Sequence, residues 1–194
     1  MRLSRFLPVL ILLLPLMTAC ASASRNDPFI YADSTLSLNV EGIYLPANDS
    51  QGSPRPFAAT VIMEAPQGEN LTLREMSVTF TAPDTLAGVT VISSPSVAPD
   101  GSVTRRVEFS YPSDYGNVRT AVTGGELDGF LRLAEAWLPV GDVTEISTQT
   151  PDGGYTVTRK DGDRVVVFTF GTGEVLPVGV RLTDGRGTVE MRRS

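Results

Sequence analysis

The stretch Tyr155-Thr156-Val157-Thr158-Arg159-Lys160-Asp161-Gly162-Asp163-Arg164-Val165-Val166-Val167-Phe168-Thr169-Phe170 decides the reading of the fold. Tyr155 and Val157 alternate with Thr156 and Thr158, the two-residue period of a strand with one buried face. Val165 to Phe170 is more continuously apolar, as a strand covered on both faces would be. Between them, Asp161-Gly162 supplies the positive-φ positions that a tight hairpin requires. The segment therefore reads as two antiparallel strands.

The same pattern extends outward in both directions. Asp152-Gly153, Asp184-Gly185 and Gly171-Thr172-Gly173 punctuate apolar runs, so Val143 to Met191 reads as a meander of about five strands. Upstream, Phe57, Ala59, Val61 and Met63 share one strand face. Met76, Val78, Phe80 and Ala82 share another, and Val103, Val107, Phe109 and Tyr111 a third, with Asp100-Gly101 as a turn before it. Asn48 to Pro56, rich in Pro, Gly and Ser, reads as a loop. Asp84-Thr85-Leu86-Ala87 suggests a brief helical turn.

One segment departs from the strand period. From Glu126 to Leu138 the apolar residues Leu127, Phe130, Leu131, Ala134, Trp137 and Leu138 fall on one helical stripe, with Leu133 off it. Glu126 and Asp128 suit the positive N-terminal end, and Pro139 with Gly141 stops the helix. The expected fold is mainly β: a curved antiparallel sheet, or unclosed β-barrel, with one principal amphipathic helix packed on its concave face.

The N-terminus carries an address. Arg2 and Arg5 precede the apolar run Phe6–Met17, and small residues lead into Cys20, the only cysteine of the 194 residues. The run is shorter than the ~20 residues that span a bilayer. Met17-Thr18-Ala19-Cys20 resembles the lipobox of bacterial lipoproteins, with Met17 where Leu is usual. That resemblance implies a signal peptide over 1–19 and a lipid on Cys20 that ties the protein to a bacterial membrane, outside the cytoplasm. Residues 20–28 then form the lipidated cysteine and a flexible tether, and 29–194 the β domain.

Composition narrows the chemistry. Two of the 16 basic residues lie in the leader and none of the 22 acidic ones do, so the mature chain has 14 against 22, a formal charge of −8. That balance argues against nucleic acid as a partner. The chain has no histidine, which excludes Ser-His-Asp and Cys-His nucleophiles and histidine-based zinc sites. No cofactor or metal is expected. Glu75 and Glu108 fall on outward strand faces, and the helix stripe holds no ionisable group. The chain is read as a binding protein and not as an enzyme.

Three features together resemble the lipoprotein-localisation carrier superfamily (LolA/LolB-like): the strand and turn Met76–Val91, the helix 126–138, and the closing hairpin Leu176–Gly185. The resemblance implies an unclosed half-barrel of about eleven strands around helices, binding a hydrophobic ligand or a lipoprotein acyl chain. Ligand-lining candidates are Val61, Met63, Met76, Val78, Phe80, Val107, Phe109, Leu127, Phe130, Leu131, Trp137 and Leu138. The same residues could instead simply be core. The alternative function is then a non-catalytic envelope scaffold acting through protein contacts.

Overall fold

Alternation and Asp-Gly punctuation produce eleven strands in a computed structural model that describes residues 28–47, 53–68, 70–113, 116, 118–122, 128–147 and 153–194. A 3₁₀ turn, Ile30–Asp33, leads into β1 (Leu36–Pro46), β2 (Arg55–Met63), β3 (Met76–Ala82), β4 (Thr90–Val97), β5 (Val103–Tyr111) and β6 (Val118–Val122). The helix α1 (Asp128–Glu135) follows. Then come β7 (Asp142–Ser147), β8 (Tyr155–Asp161), β9 (Arg164–Phe170), β10 (Gly179–Asp184) and β11 (Gly187–Arg193).

All eleven strands form one antiparallel sheet in the order β6-β5-β4-β3-β2-β1-β11-β10-β9-β8-β7. Two meanders are joined by the pairing of β1 with β11, which sets Val40 opposite Arg193 and Gly42 opposite Met191. β6 and β7 end the order without pairing to each other, so the sheet is unclosed among the described residues, and α1 lies in the connection between these two edges. Eleven antiparallel strands in one unclosed sheet are what the LolA/LolB-like resemblance implies, but where it implies several helices the described residues hold one short α-helix.

Register gathers the apolar residues onto one face. Leu38 pairs with Val61, Val61 with Val78, and Val78 with Val91. Across the other meander Met191 pairs with Val180, Val180 with Phe168, and Phe168 with Val157. All eight are buried. Each such side chain contributes about 1.5–3 kcal/mol on leaving water.

Several sequence expectations change. β9 alternates between buried and half-buried residues, so Val165 and Val167 are covered less than Val166 and Phe168: one face is buried, not two. Arg55 and Pro56 belong to β2 and not to the preceding loop, with Pro56 opposite Ile43. Proline is tolerated there because the pairing of β2 with β3 begins only at Ala58, so no ladder bond is lost on that side. At the β10–β11 turn the positive φ falls on Gly187 and not on Gly185; a Cβ at Gly187 would run into the Leu45 carbonyl. On β5 Val103 and Tyr111 are exposed and Val107 and Phe109 only half-buried, because this strand lies near a sheet edge.

The helix differs most. Its described span is Asp128–Glu135, and the turn that follows is held by Ala136 N–H to the Arg132 carbonyl at 2.9 Å and Trp137 N–H to the Ala134 carbonyl at 3.1 Å. It packs against β2, β3 and β4. Leu131, Arg132, Leu133 and Ala134 are buried in succession. One stripe presumes one solvated face, whereas this helix is enclosed on several sides, which brings in the off-stripe Leu133. Glu126 and Leu127, like the leader, Cys20 and Asp152, lie outside the described residues.

Candidate functional site

At the end of the sheet where β1 runs into β2 and β3 into β4, a cavity of ≈ 660 Å³ opens beside α1. Tyr44 of β1, Pro54 to Phe57 at the start of β2, and Val189 of β11 form one wall. Phe80 of β3 with Pro83 and Leu86 beyond it forms another, and Phe130 and Leu133 of α1 close the third side. The rings are set edge to face: Phe80 and Phe130 have centroids 5.2 Å apart at 77°, and Phe57 and Phe80 6.4 Å apart at 72°. This is a favoured aromatic geometry. The volume falls within the ~300–1,000 Å³ of small-molecule sites.

Ionic contacts hold α1 against both meanders. Arg132, 4 % exposed, places Nη2 2.6 Å from Asp184 Oδ1 and donates to the Gly187 carbonyl at 3.2 Å. Its guanidinium also lies 5.9 Å from the Tyr44 ring centroid. Glu135 stands between Arg105 at 3.7 Å and Arg164 at 3.8 Å, and Arg164 also donates to the Glu135 carbonyl at 2.7 Å. Arg105 donates further to the Thr72 carbonyl at 2.8 Å and to Ser93 Oγ at 3.3 Å. The loop between β2 and β3 carries the buried Arg74, which donates to the carbonyls of Leu71 and Ala32. Burial pushes its guanidinium below the usual value, with Asp33 and Tyr31 acting in the opposite direction. The Tyr31 hydroxyl donates to the Trp137 carbonyl at 2.8 Å, anchoring the chain beyond α1.

Of the ligand-lining candidates, Phe80 and Phe130 line this cavity. Val61, Met63, Met76, Val78, Leu131, Trp137 and Leu138 are buried. Val107 and Phe109 are half-buried on β5, Phe109 against the core, while Leu127 lies outside the described residues. The sequence reading did not single out Tyr44, Pro54, Arg55, Pro56, Pro83, Leu86, Leu133 or Val189. Phe57 had carried a signal, sharing a strand face with Val61 and Met63. The prolines gave none, because proline at a strand end reads as punctuation whether or not it faces a cavity.

The described lining contains one ionisable cation, Arg55, and no carboxylate. Among the described residues no group of three or more Cys, Asp or Glu side chains could hold a metal ion. Glu75 accepts from Ser94 Oγ at 2.9 Å, and Glu108 pairs with Arg106 at 2.9 Å, away from the cavity lining. Chemically, the site can exclude water from an apolar body and meet a polar group at its rim.

No protein-family model and no curated protein matches the chain. Solved structures similar to it include the following two. One is an outer membrane lipoprotein-sorting protein domain from Vibrio parahaemolyticus, 10% identical, with 86% of this chain and 87% of that chain covered and a TM-score of 0.40. The other is a DUF1329 family protein from Desulfovibrio piger, 10% identical, with 88% and 87% covered and a TM-score of 0.45.

Proposed function

We propose that this chain is a lipid-anchored, extracytoplasmic binding protein that holds a hydrophobic or acyl ligand between α1 and the concave face of the sheet. The observation that carries the reading is the ≈ 660 Å³ cavity, walled by Phe57, Phe80, Leu86, Phe130, Leu133 and Val189. Removing apolar ligand surface from water there contributes about 25 cal/mol per Å², and the protein makes and breaks no bonds. The address rests on the leader and on Cys20, whose thiol would carry the anchoring lipid. No helix among the described residues is long and apolar enough to cross a membrane.

Native mass spectrometry of residues 21–194, which contain every described strand and the helix, tests the ligand. The protein purified from a bacterial host is expected to retain a lipid mass. It is also expected to bind the uncharged dye phenylnaphthylamine saturably. Leu86→Trp, which fills the cavity from its half-buried rim, is expected to remove both. A lipid-free protein whose dye response is unsaturable and indifferent to Leu86→Trp would favour the scaffold reading instead.

A further inference from the structure

β7 (Asp142–Ser147) ends the sheet, with β8 on one side and no strand on the other among the described residues. Ten pairings, all antiparallel, separate it from β6, so the two edges run in the same direction. The edges could join only as a parallel pair, which is slightly less stable per residue. Residues 142–146 are all exposed. β7 has no proline and no lysine, two residues that commonly blunt an edge. Val143 and Ile146 are 47 % and 61 % exposed. Three residues apart, they would face opposite sides of a regular strand. A bulge between Val143 and Glu145 brings them to one side, with Val143 opposite Arg159 and Ile146 opposite Val157. Val157 is buried, so that side is the concave one. On the convex side β7 offers Asp142 and Glu145 and no cation. Lys160 stands opposite Asp142, whereas Glu145 stands opposite Thr158. Arg159 turns inward, its guanidinium 5.1 Å from the Phe29 ring centroid.

We propose that β7 is a docking edge for an extended, basic segment of a partner protein, which adds to the sheet as an antiparallel strand. Its backbone takes the free N–H and C=O groups of the edge, its apolar residues lie against Val143 and Ile146, and its lysines or arginines lie across from Asp142 and Glu145. The carboxylates select the occupant. A second copy pairing antiparallel through its own β7 would bring acidic strand against acidic strand, which is unfavourable. A second copy's β6 would continue the curved sheet only as a parallel pair. A basic segment from another chain meets neither obstacle. This docking edge does not depend on the ligand proposed above.

The experiment follows a fluorescein-labelled peptide alternating lysine and valine by anisotropy against residues 21–194, together with backbone amide hydrogen exchange across 142–147. The peptide is expected to bind saturably, to weaken as salt is raised, and to slow exchange in β7. A matched peptide alternating glutamate and valine is expected to bind about tenfold more weakly. Glu145→Lys should erase most of that preference, and the same reversal at the exposed Glu41 of β1, Glu41→Lys, should leave it. Ile146→Thr should weaken the lysine peptide. Methylating alternate backbone nitrogens of the peptide should abolish binding, because an added strand needs its N–H groups. The inference is overturned by absence of saturable binding at millimolar peptide, by protection that falls outside β7, or by equal binding of the methylated peptide. It is also overturned if the preference follows Glu41 as much as Glu145. Slow exchange in β7 that appears without peptide, and only at high protein concentration, overturns it too, since the occupant is then a second copy.

Discussion

Truncating Trp137 and Phe130 should separate the filled core from the cavity. Trp137 is fully buried beyond α1, and its Nε1 has no hydrogen-bond partner among the described residues. Replacing it with Ala removes the whole indole from a packed site and should cost about 3–5 kcal/mol. For a domain of this size each kcal/mol moves the midpoint by about 2–4 °C, so the expected fall in Tm is roughly 6–20 °C. Trp137→Phe retains much of the aromatic burial and eliminates an orphan N–H whose desolvation costs about 1–3 kcal/mol. That gain offsets the smaller packing loss, and the net change should lie within about 1 kcal/mol. Phe130 is half-buried and lines the cavity. Its loss removes an edge contact with Phe80 worth about 0.5–1.5 kcal/mol and part of its own burial. About 2 kcal/mol is expected in total, together with a clear weakening of dye binding. Differential scanning calorimetry with and without phenylnaphthylamine reads both quantities. A Trp137→Ala shift below about 3 °C, or a Phe130→Ala cost exceeding that of Trp137→Ala, would refute this partition.

Arg132→Met should destabilise by about 3 kcal/mol, because it strands Asp184 in a partly buried site; in a denaturant double-mutant cycle, Arg132→Met with Asp184→Leu should cost less than the two singles summed. Coupling near zero would mean that the 2.6 Å pair does not hold α1 to β10. Cys20→Ala should move the protein out of the membrane fraction or leave the leader uncleaved; membrane recovery of a cleaved, lipid-free chain would contradict anchoring. The Ser102 hydroxyl at 2.7 Å and then its backbone N–H at 2.9 Å hold the Asp100 carboxyl below the usual carboxylate range. The small stability this supplies is present above the ordinary value of about 3.9 and lost as pH falls through the lower folded value; Ser102→Ala should raise the carboxyl's NMR titration midpoint, and an unchanged midpoint would exclude the hydroxyl as the main cause.

Much of the architecture was legible in the sequence because its determinants are local. A two-residue period over 76–82 or 155–158 makes a strand whatever lies elsewhere, and Asp161-Gly162 makes a turn from its own backbone preference. The absence of histidine excluded whole classes of chemistry before any fold was considered. The cavity is not local. Tyr44, Arg55, Phe80, Leu133 and Val189 come from separate elements, and Tyr44 meets Val189 only because β1 pairs with β11. Arg132 illustrates the same limit: its position on a helix suggests a solvated charge, yet the residues that cover it and Asp184, which neutralises it, are supplied by distant strands. Sequence determined which residues prefer to leave water, because that is a property of each side chain and its period. Tertiary structure decided where the helix left space unfilled, and so which apolar residues became core and which face a cavity, because packing depends on segments that meet only when the chain is folded.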